Sequence, residues 1–287
     1  MIKLIECPRD AMQGIKEFIP TNVKAEYINK LLKVGFDTID FGSFVSPKAI
    51  PQMHDTADVL KKLNLSDSYS KLLAIVLNMK GAETVCLYDE IDSIGFPFSI
   101  SETFQQRNAN SSIEQALLRV EEIHKLAFQY SKELVVYLSM GFGNPYNEEY
   151  NFDIVATWVD KLIETGVEVI SFADTVGMAK IFDINKVLQN LIQEFPFIEF
   201  GVHFHTSPHN WKAKVEAAYN SGCRRFDGAI MGYGGCPMAE DELVGNMPTE
   251  NLISYFKEIN EEIPEFDEDA FREAQDYANF VFKKYNS

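Results

Sequence analysis

Residues 167–205 read VEVISFADTVGMAKIFDINKVLQNLIQEFPFIEFGVHFH. The stretch begins with a short apolar run over residues 167–174 that suits a buried strand. Residues 183–194 follow as a helix, and residues 199–205 form a second strand-like run. A strand, a helix and another strand within forty positions describe a βαβ unit with parallel strands. The same unit recurs along the chain in both directions. Upstream strands are expected over residues 2–7, 38–44, 71–77, 93–101 (weakened by Pro97) and 133–140. Helices are expected between them over 22–34, 54–63, 82–90, 111–130 and 153–164, the last stopped by Gly166. Downstream come a helix over 210–220, a last strand over 224–230, a helix over 249–258 and a tail helix over 268–284. Eight strand-then-helix units without a break in composition favour a closed (β/α)8 TIM barrel over an open doubly wound sheet. The expected organisation is one barrel domain over residues 1–287, with 262–287 as a short C-terminal helical extension.

The 287 residues, 46% of them apolar, suffice for a core of that size. A formal net charge of −17 argues against nucleic acid or an anionic membrane surface as the main partner. It leaves room for an anionic small molecule held by a few local basic groups. The four cysteines, Cys7, Cys86, Cys223 and Cys236, are far apart and form no C-x-x-C pair, which fits a reducing cytoplasm. Met1–Cys7 is already strand-like, no export signal is visible, and no apolar run approaches the roughly 20 residues that span a bilayer.

The end of the quoted stretch carries the chemistry. Side chains two apart on a strand leave the same face, so His203 and His205 project together while Phe204 points away. Two imidazoles so placed are the beginning of a divalent-metal site. In a barrel, active-site groups gather at the C-terminal ends of strands. Arg9 and Asp10 follow the first strand, Asp40 and Ser43 close the second, Asp174 ends the sixth, and the Gly-rich segment 232–235 follows the eighth.

Taken in order, six pieces resemble the 3-hydroxy-3-methylglutaryl-CoA lyase family of metal-dependent barrel lyases and Claisen-type synthases. They are Glu6-Cys7-Pro8-Arg9-Asp10-Ala11-Met12-Gln13, Ser43-Phe44-Val45-Ser46-Pro47-Lys48, Pro51-Gln52-Met53, Ala173-Asp174-Thr175-Val176-Gly177, His203-Phe204-His205 and Gly234-Gly235-Cys236-Pro237. The resemblance implies a carbon–carbon lyase acting on a 3-hydroxyacyl-CoA. It implies metal ligands Asp10, His203, His205 and Asn246, a donor set suited to Mg²⁺ or Mn²⁺ that also admits Zn²⁺. Arg9 would stabilise a thioester enolate, Cys236 would protonate it, and Asp174 would assist deprotonation of the substrate hydroxyl. Glu6 and Gln13 would orient ligands and substrate, and Lys48, backed by Lys80 and Arg107, is the nearest basic group for a CoA phosphate. Barrels of this kind often form homodimers.

The chain departs from the family pattern at several places. Asp40 stands where the family has Glu, Ala11-Met12 replaces Gly-Leu, and Thr206 replaces Asp. The segment from Cys236 to Asn246 is one residue longer and carries Glu240-Asp241-Glu242-Leu243. These departures bear on the substrate and keep other readings in play: an aldolase of a 4-hydroxy-2-oxo acid, a Claisen-type acyl-CoA synthase, or a metal-binding barrel without catalysis.

Overall fold

The computed structural model describes residues 1–235 and 245–285. Eight strands pair in sequence order, each parallel to its neighbours, and the eighth returns to the first to close a barrel. They are β1 (Lys3–Glu6), β2 (Thr38–Ser43), β3 (Lys71–Ile75), β4 (Ser93–Ser99), β5 (Glu133–Ser139), β6 (Val169–Asp174), β7 (Glu199–Phe204) and β8 (Arg225–Gly228). The expected (β/α)8 barrel is therefore the observed fold. Pro97 does not break β4. Pairing with β3 ends at Ile75 opposite Gly95, so Pro97 lies beyond that ladder and owes it no N–H.

The helices are α1 (Pro8–Gln13), α2 (Thr21–Leu31), α3 (Thr56–Leu60), α4 (Met79–Val85), α5 (Glu102–Ala109), α6 (Ile113–Gln129), α7 (Phe152–Glu164), α8 (Ile181–Glu194), α9 (Trp211–Asn220), α10 (Thr249–Glu258) and α11 (Glu268–Tyr285). Side chains that accept backbone N–H groups start several of them: Ser112 with Gln115 forms a capping box for α6, and Asn151 caps α7. Their apolar stripes close on the outer faces of the strands, so most of the core lies between barrel and helices. A smaller apolar cluster of Leu73, Ile75, Val135, Tyr137 and Val169 fills part of the barrel interior. Below it, Glu199 receives both Lys3 and the buried Arg225. The C-terminal helix α11 packs on α2, with Phe282 edge-on to Tyr27 at 6.2 Å and stacked on Tyr233 at 4.1 Å. Among the described residues no helix is long and apolar enough to cross a membrane.

Candidate metal centre at the barrel mouth

Short segments at the C-terminal ends of β1, β7 and β8 build the site. Cys7 follows β1, and Pro8, with φ preset and no N–H to lose, starts the short helix α1. One turn of helix then puts Arg9, Asp10 and Gln13 within reach of each other. Arg9 Nη1 donates to Asp10 Oδ1 at 2.8 Å and to Gln13 Oε1 at 3.0 Å, and Gln13 Nε2 donates to Asp10 Oδ1 at 2.7 Å. From β2, Asp40 takes the other edge of the guanidinium: Nε lies 3.2 and 3.1 Å from its two oxygens and Nη2 2.5 Å from Oδ2. Arg9 is thus held in one plane by two carboxylates, and the geometry is specific to a guanidinium.

At the end of β7, His203 and, one residue past the strand, His205 face the cavity together, as the alternation requires. Phe204 points outward against Phe142, with ring centroids 5.8 Å apart. Residues 245–248 return alongside the end of β7. Thr206 N donates to Gly245 O, Met247 N donates to Phe204 O, and His205 and Asn246 form an antiparallel bridge. That return places Asn246 in the cluster, where Nδ2 donates to Asp10 Oδ2 at 2.7 Å and to Tyr233 O at 2.9 Å. Gly234 makes the approach sterically feasible. Its φ is +89°, and a Cβ there would lie 2.7 Å from Asp10 O and 2.8 Å from Asn246 Nδ2.

Ligand atoms of Asp10, His203 and His205 lie within 4.8 Å of one another. Asn246 Oδ1 is buried, with no hydrogen-bond partner among the described residues, because Nδ2 makes both of the amide's contacts. One carboxylate, two imidazoles and an amide oxygen otherwise left unsatisfied fit a divalent cation with positions left for substrate oxygens. Burial pushes the Asp10 carboxyl up, but Arg9, His203 and the Asn246 hydrogen bond bring it below the ordinary carboxylate range, so it stays an anion. Burial raises Asp40 to about 6 against the pull of Arg9. The cluster opens into a cavity of about 350 Å³. Arg9, Asp10, Gln13 and both histidines form its polar side, and Val45, Ile50, Ile75, Leu77 and Phe104 form its apolar side.

Three sequence-predicted residues are not in this cluster. Asp174 faces away from the cavity that its neighbours Ala173 and Thr175 line. Its carboxylate takes Lys214 Nζ at 2.5 Å and Ala179 N at 2.9 Å, both outside the barrel. Strand alternation turns it outward, so it does not face the substrate cavity. Glu6 likewise leaves β1 on the outer face. It accepts Ile230 N at 2.8 Å and Thr249 Oγ1 at 2.6 Å, so it fastens β8 to the start of α10 and does not touch the cavity. Lys48 is exposed in the connection after β2, between Val45 and Ala49 of the cavity wall. Cys236 and the acidic run Glu240-Asp241-Glu242 lie outside the described residues.

The sequence reading also missed two residues. Asp227 on β8 is fully buried with Oδ2 3.2 Å from His203 Nδ1. Lys214 on α9 is buried and reaches His205 O at 3.0 Å as well as Asp174. The signal for the first was present: Arg225 and Asp227 are two charges with strand spacing in an otherwise buried strand.

Comparison with known proteins agrees with this geometry. The HMGL-like family model matches residues 2–276. Hydroxymethylglutaryl-CoA lyase YngG of Bacillus subtilis is 31% identical over 253 residues, covering 88% of this chain and 84% of that protein. The mitochondrial hydroxymethylglutaryl-CoA lyase of Bos taurus is 33% identical over 255 residues, covering 88% and 77%. A solved structure of an HMG-CoA lyase from Acinetobacter baumannii, in complex with coenzyme A and 3-methylmalate, superposes with a TM-score of 0.89 at 29% identity, covering 99% of this chain and 92% of that one. A closed parallel barrel with this constellation at its mouth, among these relatives, is an enzyme of the carbon–carbon lyase class. The chain belongs to the HMGL-like family.

Proposed function

We propose that the chain is a divalent-metal-dependent lyase that cleaves a 3-hydroxyacyl-CoA such as 3-hydroxy-3-methylglutaryl-CoA to acetyl-CoA and a ketone such as acetoacetate. The observation that carries this reading is the cluster at the mouth, where Arg9 is fixed beside Asp10, His203, His205 and Asn246 with the amide oxygen of Asn246 unpaired. A divalent ion held by those four residues, Mg²⁺ or Mn²⁺ by the hardness of the set, would supply the Lewis acidity that makes a tertiary hydroxyl easy to deprotonate. Asp40, raised to about 6 by burial, keeps both oxygens on Arg9 and so orients the guanidinium toward the cavity. Cleavage of C2–C3 then leaves the ketone and places negative charge on the thioester oxygen. Arg9, already planar and oriented by Asp40 and Asp10, stabilises that charge without reorganising. Cys236, next in sequence to Gly235, returns a proton to the enolate carbon. The apolar wall of Ile50, Ile75, Leu77 and Phe104 accepts the methyl-bearing part of the substrate and keeps water from the enolate.

The relatives named as hydroxymethylglutaryl-CoA lyases, and the coenzyme A bound in the Acinetobacter structure, support a CoA thioester as substrate. Lys48, exposed beside the cavity, offers a positive charge for the phosphates of such a substrate. Three buried free thiols, Cys7, Cys86 and Cys223, agree with a reducing compartment such as the cytoplasm. The test is to offer the purified chain, with Mg²⁺ or Mn²⁺, a panel of 3-hydroxyacyl-CoAs and 4-hydroxy-2-oxo acids and to identify the products. Acetyl-CoA plus a ketone is the expected result, and cleavage of the oxo acids alone would replace this reading with an aldolase. A Cys236→Ala variant is expected to lose turnover while binding Mn²⁺ as the wild type does. Normal cleavage by that variant would remove Cys236 from the mechanism.

A further inference from the structure

Asp227 is a carboxylate in the barrel interior with no exposed side-chain surface. Burying an ion without good partners is unfavourable, so its contacts should reveal what offsets that burial. Oδ1 has no hydrogen-bond partner among the described residues, and Oδ2 has one, His203 Nδ1 at 3.2 Å. Arg225, two residues earlier on the same face, adds a favourable field, but its Nη1 goes to Glu199 at 3.2 Å and not to Asp227. The carboxylate is therefore committed to one imidazole. Tyr137 closes against the same ring edge-on, with centroids 6.1 Å apart at 85°, so the ring is held by packing as well.

An ionised carboxylate accepts and cannot donate. Its contact with Nδ1 requires the proton of neutral His203 to be on Nδ1. The other nitrogen, Nε2, then carries the free lone pair. We infer that Asp227 is a positioning residue, which locks His203 in the Nδ1–H tautomer and orientation that presents Nε2 to the cation site formed with Asp10, His205 and Asn246. This inference rests on the metal-site reading above and extends it to a residue that never touches substrate. Cys7 lies in the same inner group, with its Sγ within 4.8 Å of the His203 and Asp227 ligand atoms.

The experiment uses the full chain labelled with ¹⁵N-histidine, first without metal. The ¹⁵N shifts of His203 should report a proton on Nδ1 in the wild type. In Asp227→Asn, whose amide can donate as well as accept, the Nε2–H form should appear. Mn²⁺ titration should then show affinity weakened about 10–100-fold, the range expected for loss of such a support. Wild-type His203 protonated on Nε2 and not on Nδ1 would overturn the inference, and that result stands even if the variant does not fold. An Asn variant with unchanged tautomer and unchanged Mn²⁺ affinity would also overturn it. A thiolate charge-transfer band on Co²⁺ loading of the Cys236→Ala chain would place the ion in the inner group with Cys7, again against the inference. A wild type that shows the Nδ1–H tautomer but binds no Mn²⁺ would sink the metal site and leave the Asp227 contact intact, so the two failures are separable.

Discussion

Arg9 shows how much of the site depends on single side chains. Five of its N–H···O contacts go to Asp40, Asp10 and Gln13. Burial disfavours its charge, but the two carboxylates more than offset that, so it is a permanent cation aimed at the mouth. A lysine would keep the charge and lose the two-edged fork. Arg9→Lys is accordingly expected to lower kcat by about 10²–10³-fold, the scale seen when one preorganised donor to a developing oxyanion is removed. KM should change much less, because the lost interaction belongs to the transition state. A variant that raises KM and preserves kcat would make Arg9 a substrate-binding group only. Asp40 holds the Nε and Nη2 edge of the fork with both of its oxygens, and Asp10 with Gln13 holds Nη1.

At the scale of elements, a one-residue phase on a strand decides what each residue can do. Ala173 and Thr175 line the cavity, whereas Asp174 between them is turned out to Lys214 on α9. Both partners of that pair are almost completely buried. Lys214 also donates to Gly177 O and His205 O, so the pair ties the β6–α8 turn and α9 to the end of β7. Asp174→Ala would strand the ammonium. It is expected to cost about 3–5 kcal/mol of stability in denaturant unfolding. A catalytic base would behave otherwise, with normal unfolding and a collapsed kcat, and that outcome would restore Asp174 to the mechanism. The sequence carried Asp174 as a site residue because it ends a strand. Its direction was not legible, because only the β6–β7 register, which sets Ala173 opposite His203 and Asp174 opposite Phe204, fixes the phase. Helix α1 was harder to foresee. Six residues between a strand and a loop have no periodicity to read, and Pro8 at its first turn was the one local sign. Asp227 was hidden for a different reason: only closure of β8 beside β7 brings it to His203, a contact between residues 24 apart in sequence.

For the whole molecule, closure of the barrel sets the distances. The eight units, their order and the inward pair on β7 were legible because parallel strands buried on both faces leave apolar runs that helices separate. Which loops meet over the mouth was not, because Asn246 arrives by an irregular return along β7. Glu6 fastens that end of the barrel, joining β1 to Ile230 and Thr249. Burial raises its carboxyl to about 8 despite those two hydrogen bonds. A raised acid binds its proton in the folded state while the unfolded chain has already lost it. Stability should therefore fall as pH rises between the unfolded value of 4.5 and about 8 and level off above that. Glu6→Gln is expected to flatten this decline in melts taken at pH 5 and pH 8. An unchanged slope would show that Glu6 is ionised in the folded protein.

The central claim is that the cation site at the barrel mouth performs carbon–carbon cleavage on a CoA thioester. The most direct measurement is single-substrate turnover of 3-hydroxy-3-methylglutaryl-CoA by chelator-stripped protein, before and after adding back Mn²⁺ or Mg²⁺. The account predicts no cleavage by the stripped chain and, on restoring the ion, acetyl-CoA and acetoacetate in equal amounts. Full cleavage by the stripped chain, or none by a folded chain shown to have bound Mn²⁺, would contradict it.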